Sequence, residues 1–377
     1  LLVSIGMQVL NATMTLYAVS LGATATFSGM MATFFAFFAA IFRMISGRFS
    51  DVRGRRLTML LGAVTFSVSV LAFGTFALLP ALIIFRSIQA VGFSGISTAA
   101  AAAAADVTPR EQLGEGLGFF SLGQSLAMAI GPALGLAFAG RGNFRMLYLI
   151  TAVMIALCLI FAMSLTYEKQ QLRKWTQQPD AKASANNADI IDPIEAQPAG
   201  IWKFIDPKAL PASLIYLLIC LAVGGMITFL PLYAREKGFN LISLFFLLQA
   251  AAMFITRLVT GRLFDRKGPI PVIVPALTIA TGTFILILLA ESQELFLLAG
   301  FMYGSALGML QPIFNALAVR SAPVHRRGAA SATFNLSIDV GIGIGSAIWG
   351  VIIDRAGFSL MFTGSALCTM LAMLASL

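Results

Sequence analysis

RMISGRFSDVRGRR, Arg43 to Arg56, sets five arginines and one aspartate between two long apolar runs, the densest charge cluster in a sparsely charged chain. A second stretch, TRLVTGRLFDRKGPI, Thr256 to Ile270, echoes it. Displacing the first by 214 positions sets Arg43 on Arg257, Gly47 on Gly261, Arg48 on Arg262, Asp51 on Asp265 and Gly54 on Gly268. A charged loop repeated at half-chain spacing implies a duplicated architecture. Weaker matches keep the same order: at 216 positions Tyr17, Ala18 and Gly22 fall on Tyr233, Ala234 and Gly238, and Phe85 and Gly92 fall on Phe301 and Gly308.

The runs around these loops place the chain in a membrane. Of 377 residues, 59% are hydrophobic and 11% charged, with a mean hydropathy of +0.90, outside the range of soluble domains. A spanning helix needs about 20 mostly apolar residues. Lipid offers backbone groups no partner, so helices are expected rather than the weaker alternating pattern of a barrel. Turn and charge signals delimit twelve spans, near 1–19, 27–47, 57–77, 80–105, 114–138, 146–166, 209–232, 242–262, 271–290, 295–319, 328–350 and 358–377. The expected fold is an all-α membrane protein of twelve transmembrane helices in two pseudo-symmetric six-helix bundles. The first run has no basic leader and reads as a span rather than a signal peptide. The chain opens without methionine, so its natural start is expected upstream. Cys158, Cys220 and Cys368 each stand alone in apolar runs, as packing residues with no metal or disulfide spacing.

Net charge +9 would also suit a nucleic-acid binder, but the placement of the charges argues for orientation instead. Of the 25 Lys and Arg, nineteen lie in the loops after helices 2, 4, 6, 8 and 10, five lie in the loops of the opposite side, and Arg86 lies within helix 4. The positive-inside rule makes the first set and both termini cytoplasmic, in what is expected to be the inner membrane of a bacterium. The only long connection, Tyr167 to Lys208, is rich in Gln, Ala, Asn, Asp and Pro and reads as a disordered tether. Within it Ile201 to Ile205 suits the membrane interface. The expected organisation is a bundle over 1–168, a cytoplasmic linker over 169–208 and a second bundle over 209–377.

With these features in place the chain resembles the major facilitator superfamily over its whole length. The family's loop between helices 2 and 3 has the form G-x-x-x-D-[RK]-x-G-[RK]-[RK]; GRFSDVRGRR departs from it only at Val52, and the degenerate copy GRLFDRKG lies where the family places it. The resemblance implies a cytoplasmic gate of Gly47, Asp51, Gly54, Arg55 and Arg56 with Gly261, Asp265 and Gly268. The loop would latch onto the start of helix 11, Gly328 to Ser331, by a charge and dipole contact. Setting topology and binding anionic headgroups is the plainer role of the same arginines. RSIQAVGFSG, Arg86 to Gly95, resembles the R-x-x-Q-G element of helix 4 with Ala90 replacing a glycine. AMAIGPALGLAFAG, Ala127 to Gly140, resembles the helix 5 element of antiporters through Gly131, Pro132 and Gly135, with Ala127 and Leu136 replacing glycines. Close helix packing is the alternative use of those small residues.

Asp339 is the acid set most centrally in any span, about 16 Å past Gly328 at the helical rise. A carboxyl taken out of water disfavours its charge and can load and release a proton as access alternates; a neutral Asp bonded in the packing is the alternative. Arg86 lies at a similar depth, as a partner for Asp339 or as a residue snorkelling to the interface. Proton coupling is therefore assigned to Asp339 and Arg86. The family resemblance implies a central cavity of mixed apolar and neutral polar character, with Asn11, Thr15, Tyr17, Gln89, Phe229, Gln249, Tyr303, Gln311, Asn315 and Asn335 as its candidate lining.

No phosphate loop, metal spacing or catalytic triad appears, so neither an enzyme nor a cofactor is expected. The function expected is a proton-coupled exporter of a small amphipathic drug or metabolite, a monomer whose partners are substrate, protons and lipid, with no nucleic acid. A symporter importing a sugar or organic acid, an uncoupled facilitator, and a receptor or lipid-handling protein without solute turnover are the competing readings.

Overall fold

The computed structural model describes residues 1–108, 113–140, 142–164, 205–323 and 326–377, with the side chains of residues 51, 105, 113–122, 262 and 265 outside that description. Among the described residues every regular element is a helix. In chain order these are α1 (Leu2–Ser20), α2 (Ala25–Arg53), α3 (Arg55–Thr75), α4 (Leu79–Val107), α5 (Leu113–Ala139), α6 (Phe144–Ser164), α7 (Leu210–Lys237), α8 (Ile242–Lys267), α9 (Ile270–Leu289), α10 (Gln293–Ser321) and α11 (Arg327–Ser376). Each expected span falls on a helix, and most ends agree within a few residues. The exceptions are α2, α7 and α8, which run on past the expected stop because their Arg- and Lys-bearing last turns stay helical beyond the apolar run. The last two expected spans lie on one long element, α11, interrupted at Gly357 with φ 78° and ψ −179°.

The two copies of the charged loop end their helices in the same way. Gly54 and Gly268 take φ values of 97° and 81°, a region open to glycine and strained for other residues. At these two points α2 turns into α3 and α8 into α9. With their arginines and lysines these turns make up the basic end of the molecule.

Ten helical segments among the described residues are long and apolar enough to cross a membrane. Side chains such as Phe37, Ile45, Leu61, Val153 and Leu258 stay exposed on their flanks, as expected of surfaces that meet lipid. Inside, α1 packs on α5, α3 on α4 and α6, and α2 on α4, while α7 packs on α11, α9 on α10 and α11, and α8 on α10. One core is built wholly from residues 5–155 and a second wholly from residues 209–372. Tyr17 and Tyr233, already paired by sequence, make matching contacts. The Tyr17 hydroxyl donates to the Phe73 carbonyl at 3.0 Å, and its ring packs on Phe144 and Tyr148. The Tyr233 hydroxyl donates to the Ile287 carbonyl at 2.9 Å, and its ring packs on Phe358 and Phe362.

Helices of the first group meet those of the second along α2 with α11 and α5 with α8. The α2–α11 contact is closest away from the basic end. A Cβ built on Gly29 would collide with the Ser346 carbonyl, one on Gly350 would lie 2.7 Å from the Ala25 carbonyl, and one on Gly343 would lie 2.8 Å from the Ala36 Cβ. The Thr33 hydroxyl donates across this contact to the Gly343 carbonyl at 2.7 Å. Asp354, at the far end of the interface, accepts the Ala25 and Thr26 amides at 2.9 and 2.7 Å and so caps α2 from another helix.

Only the last residues of the linker expected over 169–208 are described. Residues 165–204, which include most of it and the Ile201 to Ile205 segment up to its last residue, lie outside the described residues. Asp206 is already anchored: it is buried, ion-paired to Arg326 at 3.1 Å, and its amide donates to Thr333 Oγ1 at 2.9 Å. A short apolar-poor segment gave no sign of this, because the partners lie more than 100 positions away.

Candidate functional site

A cavity of about 290 Å³ lies between the two helix groups, at the small end of the range for ligand sites. α1, α2, α4, α5, α7 and α11 all contribute to its wall. Asn11, Thr15, Arg86 and Asp339 line it beside Met7, Met14, Met31, Phe35 and Phe93.

Asp339 and Arg86 share this wall without pairing. The partner of Asp339 is Arg43: its Nη2 lies 3.2 Å from Oδ2 and 3.4 Å from Oδ1. Arg43 is on α2 and Asp339 on α11, so this ion pair joins the two helix groups. One nitrogen lies near both oxygens but donates only to Oδ1, and both Asp339 Oδ2 and Arg43 Nε are buried without a hydrogen bond, which leaves the pair short of the two-nitrogen fork that makes such contacts strongest. The expectation of an Arg86–Asp339 pair rested on depth alone; the direction each helix face takes decides the partner.

Arg86 is 5% exposed and does not snorkel. Its Nη1 donates to Gln89 Oε1 at 2.7 Å and its Nη2 to Asn11 Oδ1 at 2.9 Å, while the guanidinium lies 4.4 Å from the centre of the Phe35 ring. All three partners are neutral. An arginine at membrane depth costs about 2.5 kcal/mol or more, and here amide oxygens and a π face offset that cost in place of a carboxylate.

A second, more open cavity of about 520 Å³ adjoins the first through Gln124. Gly261, Gln311, Asn315 and Asn335 line it with Arg257 and Arg320. Arg257 donates to Ser125 Oγ and to Gln311 Oε1, both at 3.0 Å. Ser125 belongs to α5 and Arg257 to α8, so this contact also crosses between the groups. Ser125 stands 214 positions before Asp339, the interval that separates Arg43 from Arg257. That relation was present in the sequence, as an arginine paired with an acid in one copy and with a serine in the other.

Other expected cavity residues sit elsewhere. Tyr17 and Phe229 are buried in the apolar cores, and so is Tyr303, whose hydroxyl has no hydrogen-bond partner. Gln89 is fully buried behind Arg86, with its amide 3.9 Å from Met7 sulfur. Gln249 is buried against α10, its backbone in the way of any Cβ on Gly304. Aromatic rings on inner helices fill cores as readily as they line cavities, and nothing in their spacing separates the two. In α5, a Cβ on Gly131 would come within 2.5 Å of Gln8 Cβ, and one on Gly135 within 2.9 Å of Thr13 Cγ2. Both glycines therefore seat α5 against α1, with Pro132 between them.

The gate loop makes contacts other than the expected latch. Arg55 Nε pairs with Asp106 at 3.2 Å and Arg56 Nη2 donates to the Met163 carbonyl at 2.7 Å, which tie α3 to the ends of α4 and α6. A Cβ on Gly328 would meet nothing within 4 Å, so the start of α11 stands clear at this point. A Cβ on Gly47 would come no closer than 3.8 Å, to Thr98 Cγ2 of α4, and one on Gly261 would also meet nothing. The side chains of Asp51 and Asp265 lie outside the described residues.

Two groups of helices, a cavity between them with an ion pair at its wall, and apolar outer flanks define a membrane transporter. The family model of the Major Facilitator Superfamily matches residues 1–346 and 282–377, and the chain belongs to that superfamily. It is a multi-pass integral membrane protein. An uncharacterised MFS-type transporter of Methanocaldococcus jannaschii is 23% identical, with 96% of this chain and 91% of the relative covered. The multidrug resistance protein MdtG of Enterobacter lignolyticus is 25% identical over 93% of this chain and 83% of its own length. Among solved structures, a POT family transporter in complex with a thioalcohol-conjugated peptide superposes with a TM-score of 0.78 at 15% identity, covering 100% of this chain and 94% of its own. At that identity the likeness is one of fold.

Proposed function

We propose that the protein is a proton-coupled secondary transporter that exports a small amphipathic organic molecule by alternating access. The observation that carries this reading is the ion pair between Arg43 and Asp339, a titratable link between the two helix groups whose carboxylate lies on the wall of the central cavity. A proton on Asp339 cancels its charge and releases Arg43; loss of the proton restores the attraction. Substrate and proton then compete over one switch that governs whether the groups stay joined.

In this reading residues 1–168 and 209–377 are two six-helix bundles that rock about the cavity. The break at Gly357 separates the eleventh and twelfth spans. The arginine-rich loops support a cytoplasmic position for the basic end and both termini, in a bacterial cell. With that orientation the close α2–α11 contact would lie toward the outer side and the clear start of α11 toward the cytoplasm. The gate loop, including Asp51 and Asp265, would engage α11 in the opposite state. The likeness to MdtG supports export, and the apolar flanks support a monomer in direct contact with lipid.

Purified protein in liposomes with a pH dye inside tests the coupling direction. A permanently charged or neutral naphthalene probe that moves one way should drive protons the other way. Protons travelling with the probe would replace export by symport, and probe movement without protons would make the protein a facilitator.

A further inference from the structure

The charges around the inter-bundle space do not balance. Among the described residues, Asp339 is the only acid lining either cavity, and Arg43 already neutralises it. Arg86 in the first cavity and Arg257 in the second have hydrogen bonds to neutral oxygens only. A guanidinium keeps its charge in any pocket, so the space carries an excess of fixed positive charge. Membrane proteins bury such a charge where it meets a partner or a substrate.

We infer that the substrate is an organic anion, whose carboxylate, sulfonate or phosphonate group docks on Arg86 while its apolar body lies against the methionines and phenylalanines of the same wall. Three features single out Arg86. It is 95% buried yet lines the cavity, so it is held and presented rather than solvated. Gln89 and Asn11 each take one terminal nitrogen, which fixes the guanidinium plane before any ligand arrives. Met7, Met14, Met31, Phe35 and Phe93 surround it with adaptable apolar surface. Arg257, on the wider cavity beyond Gln124, draws an anion inward along that side. An ammonium-bearing substrate would meet repulsion at each of these points. The inference deepens the export reading of the same cavity and rests on it for the word substrate, but the anion site itself stands on geometry.

The test uses three ligands with one aromatic body: naphthalene-1-sulfonate, naphthalen-1-ylmethanol and trimethyl(naphthalen-1-ylmethyl)ammonium. Thermal stabilisation of the purified protein reads binding to the folded state. The sulfonate should bind best and the ammonium worst, by roughly tenfold to a hundredfold, the worth of charge-assisted hydrogen bonds. Arg86→Gln should remove the advantage of the sulfonate over the alcohol; Arg86→Lys should restore part of it. The ranking in the unaltered protein needs no variant and serves if Arg86→Gln does not fold. Equal or better binding of the ammonium overturns the inference, as does a sulfonate advantage that survives Arg86→Gln, or stabilisation that sodium chloride alone reproduces. If the sulfonate binds as expected but moves without protons, the coupling reading fails and the anion site stands. If the ammonium is the ligand whose movement is coupled to protons, the anion site fails and the coupling stands.

Discussion

The two copies of one contact differ by a single carboxylate. Arg43 reaches from α2 to Asp339 on α11, and Arg257, 214 positions later, reaches from α8 to Ser125 on α5. Each contact ties one helix group to the other. One can be switched by a proton, and the other cannot. A serine accepts a hydrogen bond but leaves the guanidinium charge uncompensated, so the Arg257 side offers its charge to whatever enters the cavity. In the proposed reading the duplication keeps the geometry and divides the work: a titratable tie on one side, a fixed positive field on the other.

The largest expected effect comes from making the two sides alike by removing the acid. Asp339→Asn should reduce proton-driven transport to background while exchange of substrate across the membrane without a gradient persists; paired gradient-driven and counterflow assays in liposomes check it. Gly29→Val attacks the tight α2–α11 contact instead. Its side chain would drive into the Ser346 backbone, and overpacking of this kind costs about 1–3 kcal/mol. The closed arrangement of the outer end should lose population, seen as faster labelling of a cysteine placed at Ala32 on the cavity wall.

Smaller effects follow from making the two sides alike by adding an acid. Ser125→Asp should give Arg257 a charged partner, raise thermal stability by about 1 kcal/mol or more, and weaken binding of the naphthalene sulfonate several-fold; a stability change without loss of anion binding would separate Arg257 from the anion path. The smallest effect concerns Asp354. Burial alone would raise its carboxyl, but hydrogen bonds from Thr26, Ala25 and Thr24 outweigh that and hold it below the ordinary carboxylate range. A depressed value in the closed state means a stabilising contribution that is whole above the ordinary value, about 3.9, and fades as pH falls through the lowered one. Asp354→Asn should cost under about 1 kcal/mol, as for an exposed cap. The difference in melting temperature from the unaltered protein should stay constant between pH 7 and 5 and shrink below pH 4.

Much of the fold was legible because lipid imposes a simple code. Apolar runs of one length, stopped by Arg, Lys, Gly and Pro, gave the helices, and the echo of Arg43 to Arg56 in Thr256 to Ile270 gave the repeat. Asp339 stood out because an acid in the middle of such a run is costly. Its partner was hidden, since which side of α2 faces α11 depends on packing set by Gly29, Gly343 and Gly350 on both helices. Aligning the whole repeat rather than the loop would have exposed it, because Ser125 and Asp339 fall in the same register as Arg43 and Arg257. Tyr17, Phe229 and Tyr303 were placed at the cavity because inner helices carry them, but the core behind each helix claims aromatic rings too.

The most direct test of the account is the pH dependence of transport with and without the acid of the pair. Liposomes holding the unaltered protein should accumulate naphthalene-1-sulfonate when a pH gradient of the right sign is imposed, and Asp339→Asn should only equilibrate it, at a rate indifferent to pH. Gradient-driven accumulation that survives Asp339→Asn would contradict the claim that the Arg43–Asp339 tie is where protons and substrate are coupled.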